Sequence, residues 1–170
     1  SLMGALALAR GQFQVPLVLG GGIGHGRQIA AALALGADGV LMGSRLLVCE
    51  EMATHPAYKA HLRVCDEHST VRVLHTLGNT WRVLRNETAL QVDAIERAGA
   101  ADYAAFGTLL DSYVARDRCY GDGDWQHGMV SLGPAIGFAE RVEPLDNIVQ
   151  ALIRQTRAAL APLHVHITPS

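Results

Sequence analysis

Val15-Pro16-Leu17-Val18-Leu19-Gly20-Gly21-Gly22-Ile23-Gly24, and then Gly39-Val40-Leu41-Met42-Gly43-Ser44, decide how this chain folds. Val15 to Leu19 is too short for a helix and lacks polar alternation, so it reads as a strand buried on both faces. Pro16 is tolerated at the start of such a strand. Arg27 to Leu35 is rich in alanine and leucine and reads as helix. Gly36 stands where a left-handed C-terminal glycine belongs. Gly39 to Met42 is a second short apolar strand, stopped by Gly43. Strand, helix and strand at this spacing make a βαβ crossover, which requires parallel strands.

Outward from this unit the pattern turns helical. Ser1-Leu2-Met3 reads as the tail of a helix already under way, ending near Arg10-Gly11. Leu46 to about Val64 reads as helix interrupted at Thr54-His55-Pro56, with Pro56 in a first turn and Thr54 as its cap. Residues 70–78 allow strand or helix. Residues 87–98 and 101–118 read as helical, and Gly121 to Asp124 as a loop. Pro144 opens a last helix over 144–162, with Ile148, Leu152, Ile153, Thr156 and Leu160 on one face. The chain divides into strand-and-helix units over 1–65, a mainly helical subdomain over 66–143, and a closing helix and tail over 144–170.

Two parallel strands cannot bury both faces of a sheet. A complete (β/α)8 barrel takes about 250 residues, against 170 here. The expected fold class is therefore α/β: the C-terminal portion of a TIM barrel with an added helical subdomain. The remaining strands come from elsewhere, or the chain is a fragment.

Composition narrows the partners. A formal charge of −2 gives no electrostatic case for nucleic acid. No apolar run reaches the roughly 18 to 20 residues that span a bilayer, and no basic segment precedes an apolar stretch at the N-terminus, so no signal peptide is expected. Cys49, Cys65 and Cys119 are an odd, sparse set, which argues for a reducing cytoplasm over a disulfide framework. Exposed strand edges would favour pairing of the chain with itself, as a homo-oligomer.

The chemistry sits at the strand ends. Gly20-Gly21-Gly22-Ile23-Gly24 closes the first strand and Met42-Gly43-Ser44 the second, at the C-terminal ends where barrel active sites lie. Glycines let a ligand approach the backbone closely. Free N–H groups at Gly22, Ile23, Gly43 and Ser44 would converge on one phosphate, helped by the Ser44 hydroxyl and by a helix starting just after it. Read singly, these glycines are tight βα turns. Read as two groups at matching strand ends, they favour phosphate capture at consecutive barrel strands. The spacing is not a dinucleotide fingerprint, because no acidic residue ends the second strand.

Several FMN or nucleotide-phosphate barrels resemble this chain over Pro16–Gly26 and Ala31–Val40, among them IMP dehydrogenases, glycolate oxidases and glutamate synthases. Met42-Gly43-Ser44-Arg45 through Glu50-Glu51, then His55-Pro56-Ala57-Tyr58-Lys59, is similar to the nitronate monooxygenase family. Arg82 to Asn86 and Gly121 to Gly137 resemble that family's C-terminal portion. The resemblance implies an FMN-binding TIM barrel that oxidises alkyl nitronates with O2. Carried onto matching positions, Gly21, Gly22, Ile23, Leu41, Met42, Gly43 and Ser44 would bind the cofactor, Ser44 standing where the family has Thr. It implies no catalytic residue within this chain, since the family's catalytic histidine lies upstream of the first strand here. Pro134 stands where the family often has Gln near the flavin. An enoyl reductase, an IMP dehydrogenase-like enzyme and a non-catalytic phosphate-binding half-barrel are the rival readings.

The other histidines read as structural. His25 sits beside the phosphate loop, far from a flavin ring. His55 caps or packs at Pro56. His61, Cys65 and His68 have the spacing of one helical face, but no fourth ligand is placed, so no metal is expected. His164 and His166 lie on a tail, and Cys49 reads as a small buried hydrophobe.

Overall fold

The computed structural model describes residues 2–161. Helix α1 (Leu2–Gln12) leads to strand β1 (Val18–Gly20), helix α2 (Gly26–Ala34) and strand β2 (Gly39–Leu41). The strands pair in parallel, Val18 with Gly39 and Gly20 with Leu41, so the βαβ unit forms as its sequence predicts. Gly36 takes φ +94° just past the end of α2, the left-handed turn that glycine makes without strain. Asp38 accepts from the Leu17 N–H at 2.8 Å and pairs with Arg10 at 3.2 Å, fixing the entry to both strands.

Burial on both strand faces does not occur. Leu6, Ala32 and Ala37 cover Leu17, Leu19 and Val40 on one side. Val18 and Leu41 stay 64% and 68% exposed, because nothing among the described residues lies over the other side of the two-stranded sheet.

Past β2 the chain makes one 3-10 turn (Ser44–Leu46), and regular helix resumes only at α3 (Pro56–Leu62). The helix expected from Leu46 is displaced by tertiary pairing: Cys49 bridges to Glu143, and the Glu50 N–H donates to the Glu143 carbonyl at 3.1 Å. The cap of α3 is His55, whose Nδ1 accepts from the Ala57 N–H at 3.1 Å. It is not Thr54, whose buried hydroxyl has no partner among the described residues. Pro56 occupies the first turn as expected.

The segment 66–143 contains an antiparallel hairpin, β3 (Thr70–Val73) and β4 (Trp81–Leu84), with Arg72 opposite Arg82. Helix α4 (Glu87–Arg97) follows, capped by Asn86, whose side chain accepts from the Ala89 N–H at 2.9 Å. The expected helix over 101–118 is broken into three: a 3-10 stretch (Tyr103–Leu110) kinked at Gly107, where φ is +52°, then α5 (Ser112–Val114) and a π-helix (Ala115–Asp122). Gly121 and Asp122, expected in a loop, therefore belong to the π-helix, which Gly123 ends at φ +78°.

Helix α6 (Leu145–Leu160) closes the chain, its first N–H capped by the Glu51 carboxylate at 2.9 Å, which holds that carboxyl below its usual range. Ile148, Leu152 and Thr156 are buried as expected, but Ile153 is off the face and 39% exposed. Gly26 lets α6 dock on α2: its N–H donates to the Gln155 side chain at 3.0 Å and its carbonyl accepts from the Thr156 hydroxyl at 3.3 Å.

The largest core joins Val48, Tyr58 and Leu62 to Leu84, Cys119, Val130, Leu132 and Ile136. Residues 66–143 thus share a core with residues 44–65, and a boundary at 65 runs through it. Among the described residues, no helix is long and apolar enough to cross a membrane.

Candidate functional site

The loop after β1 is held from one side and open on the other. Gly21 and Gly22 have φ of +107° and +73°, conformations that demand glycine. Behind them the Gln28 side chain donates to the Gly22 carbonyl at 2.9 Å and accepts from the Gly24 N–H at 2.9 Å and the His25 N–H at 3.1 Å. His25 completes the reciprocal cap of α2 by accepting from the Arg27 N–H at 3.1 Å. A Cβ on Gly24 would lie 2.6 Å from the Phe138 ring, so the loop is seated against the 3-10 turn Pro134–Phe138.

On the open side, a Cβ at Gly21, Gly22 or Gly43 would meet no atom within 4 Å. The N–H groups of Gly22, Ile23, Gly43 and Ser44 reach no acceptor among the described residues. The Ser44 Oγ accepts from the Gly133 N–H at 2.7 Å, which leaves its own proton to donate. Gly21, Gly22, Ile23, Leu41, Met42, Gly43 and Ser44 all line one cavity of about 320 Å³, with Gly133 and Ala135 opposite. A neighbouring cavity of about 610 Å³ shares Gly21, Gly22, Gly43 and Ser44 and adds Arg82, Tyr120 and Pro134. Among the described residues no carboxylate lines either space, and Arg82 is the charged residue lining the larger one.

The structure therefore brings together every residue that the sequence singled out for phosphate. It departs in the electrostatics: the helix expected after Ser44 is a single 3-10 turn, so its dipole contributes little. Sequence reasoning missed Gln28, Gly133, Arg82 and Tyr120. Gln28 had a signal, since a capping box is written in the His25–Gln28 spacing. The other three arrive through long-range packing that no local pattern encodes.

The histidines lie elsewhere. His25 packs on Phe138, ring centroids 5.7 Å apart, and lines a separate polar cavity with Arg45 and Glu143. His61 stacks on Trp125 at 3.5 Å with the rings nearly parallel, and burial pushes its pKa down. Its Nε2 lies 3.6 Å from Cys65 Sγ, whose thiol burial pushes up. Because α3 ends at Leu62, Cys65 and His68 leave the helical face that their spacing suggested. Cys49 is buried. His164 and His166 lie outside the described residues.

Comparison with known proteins places this geometry. The nitronate monooxygenase of Pseudomonas aeruginosa is 27% identical over 158 residues, covering 91% of this chain and 44% of that protein. Among solved structures, FabK from Thermotoga maritima superimposes with a TM-score of 0.85 at 26% identity, over 98% of this chain and 52% of that one. Nitroalkane oxidase from Streptomyces ansochromogenes superimposes with a TM-score of 0.75 at 28% identity, over 96% and 45%. This chain thus spans about half the length of these relatives. The family model for nitronate monooxygenase matches residues 1–155, and the chain belongs to that family.

Proposed function

We propose that this chain is the phosphate-binding part of an FMN-dependent TIM-barrel enzyme that oxidises alkyl nitronates with O2. The observation that carries this reading is the cavity of about 320 Å³ lined by both glycine loops, with the N–H groups of Gly22, Ile23, Gly43 and Ser44 unengaged at its wall among the described residues.

The residues fit an FMN phosphate. Positive φ at Gly21 and Gly22 exposes backbone to the cavity, and a side chain at Gly43 would fill the space a phosphate needs. The N–H groups would donate to phosphate oxygens, and Ser44 would donate its hydroxyl proton while the Gly133 N–H fixes its oxygen. Leu41 and Met42 supply the apolar wall beside them. When bound, the flavin supplies the redox chemistry between nitronate and O2. This chain's part is to bind and orient it.

Among the described residues no histidine lines either cavity, in keeping with a base for the substrate proton supplied by polypeptide upstream of β1. The same polypeptide supplies the strands that cover Val18 and Leu41, with β1 and β2 as barrel strands seven and eight. Residues 66–143 pack on residues 44–65 through their shared core, and α6 closes the outside of the barrel. A cytoplasmic location belongs to the same reading and rests on the odd, sparse set of three cysteines in the sequence.

The test is oxygen consumption with an alkyl nitronate by FMN-loaded protein that includes the remaining barrel strands. Uptake of O2 dependent on FMN and nitronate is expected. Consumption of NAD(P)H with an enoyl thioester, without nitronate oxidation, would replace this reading with that of an enoyl reductase sharing the same clamp.

A further inference from the structure

The β3–β4 hairpin carries a charge arrangement that the glycine loops do not use. Arg72 and Arg82 are direct cross-strand partners, so their side chains leave the same face of the hairpin. Directly opposed like charges destabilise a strand pair, which makes a third, negative party the natural complement of this one. Among the described residues no carboxylate takes that part. Arg82 Nη1 donates to the Thr70 hydroxyl at 2.7 Å, and Arg72 forms no hydrogen bond or ion pair among the described residues.

The acidic side chains nearby are engaged elsewhere. Glu96 accepts from the Leu74 N–H at 2.8 Å and the Thr76 N–H at 2.6 Å. Asp93 pairs with Arg97 at 2.9 Å. Between the hairpin and α4 lies an open groove of about 610 Å³ whose charged lining is Arg72, Arg82 and Arg97 together with the carboxylates Asp93 and Glu96, both already engaged as described. Arg82 also lines the larger of the glycine-loop cavities, so groove and cavity share this residue.

We propose that this groove is a second anion subsite, which holds the pyrophosphate of a phosphorylated cosubstrate while its other end extends past Arg82 toward the glycine loops. Guanidinium groups bind phosphate oxygens with paired, charge-assisted hydrogen bonds, and two in register suit a pyrophosphate. The same chemistry is presented by a nicotinamide dinucleotide and by a coenzyme A thioester. The subsite stands independently of whether FMN occupies the glycine loops.

The experiment is calorimetric titration of the purified chain with inorganic pyrophosphate at low ionic strength, for the parent, Arg72→Gln, Arg72→Lys and Gly43→Val. Arg72 is exposed and unpartnered, so its variants keep the parent's circular dichroism spectrum. Saturable binding is expected at the groove as well as at the glycine loops; the groove's share is weakened about tenfold to a hundredfold by Arg72→Gln, less by Arg72→Lys, and persists in Gly43→Val, where the loops no longer contribute. Repeating the titration with NADPH and with coenzyme A identifies the source: the cosubstrate is the one whose binding falls with Arg72→Gln. Absence of saturable pyrophosphate binding, binding indifferent to Arg72→Gln, or binding lost in Gly43→Val alone would each overturn the proposal.

Discussion

Gln28→Ala removes the side chain that holds the first glycine loop in shape. The loss comprises the hydrogen bond from the Gln28 side chain to the Gly22 carbonyl and those it receives from the Gly24 and His25 N–H groups, at 2.9, 2.9 and 3.1 Å. At about 0.5–1.5 kcal/mol net apiece, and with water replacing part of them at this half-buried position, the variant loses about 1–3 kcal/mol. The better helix propensity of alanine returns only a few tenths of a kcal/mol. The same energy reappears in ligand affinity, because Gly22 and Ile23 no longer present their N–H groups in one preorganised arrangement. FMN binding is expected to weaken about fivefold to a hundredfold. Flavin fluorescence quenching measures the affinity, and urea unfolding followed by circular dichroism measures the stability. An FMN dissociation constant and a urea midpoint both equal to the parent's would refute the reasoning. The loop would then be held by the seating of Gly24 against Phe138 and not by Gln28.

Other consequences are as direct. Gly26→Ala places a Cβ 2.5 Å from the Thr156 backbone nitrogen, so α2 and α6 must part. The expected loss is about 1–3 kcal/mol, whereas Gly11→Ala, with nothing within 4 Å, gains up to about 1 kcal/mol; urea midpoints that move together would contradict this. Glu143→Ala leaves the Arg45 guanidinium, 10% exposed and paired at 3.2 Å, without its counter-charge, and is expected to cost about 3–5 kcal/mol; an unchanged melting temperature speaks against it. For Glu96, burial raises the carboxyl pKa but the Thr76 and Leu74 N–H groups outweigh it, leaving the group below its ordinary 4.5. For Glu143, burial likewise raises it and Arg141 and Arg45 outweigh that, with the same outcome. A pKa lower in the folded state contributes stability that is full above the unfolded value and lost as pH falls through the folded one. Urea midpoints are therefore expected to hold from neutrality down to about pH 5 and fall below it, less steeply in Glu96→Gln; a midpoint that rises in acid would refute the assignment.

The βαβ unit was legible because its signals are local. Short apolar runs, an alanine-rich helix and glycine at Gly36 each act within a few residues, and the glycines at 21 and 22 are required by the positive φ of their own positions. The hairpin was not legible. Trp81 to Leu84 has no period that separates strand from helix, and its pairing with Thr70 to Val73 is settled by Val73 and Val83 packing under Val92 and Phe106. The helix expected from Leu46 failed for a similar reason, since residues 49 and 50 give their backbone to Glu143, far away in sequence. Continuous helix over 101–118 was overruled at Gly107, whose positive φ no helix accepts. Burial of β1 and β2 on both faces was expected from strand composition and is not observed, since Val18 and Leu41 are exposed.

The central claim is that the two glycine loops clamp a phosphate, and flavin discrimination tests it most directly. FMN and riboflavin share the ring system and differ in the phosphate. Titrating each into the purified chain and following fluorescence quenching, we expect tight FMN binding, riboflavin binding weaker by about a hundredfold or more, and loss of this preference in Gly43→Val. Equal affinity for the two flavins, or an FMN preference that survives Gly43→Val, would contradict the account.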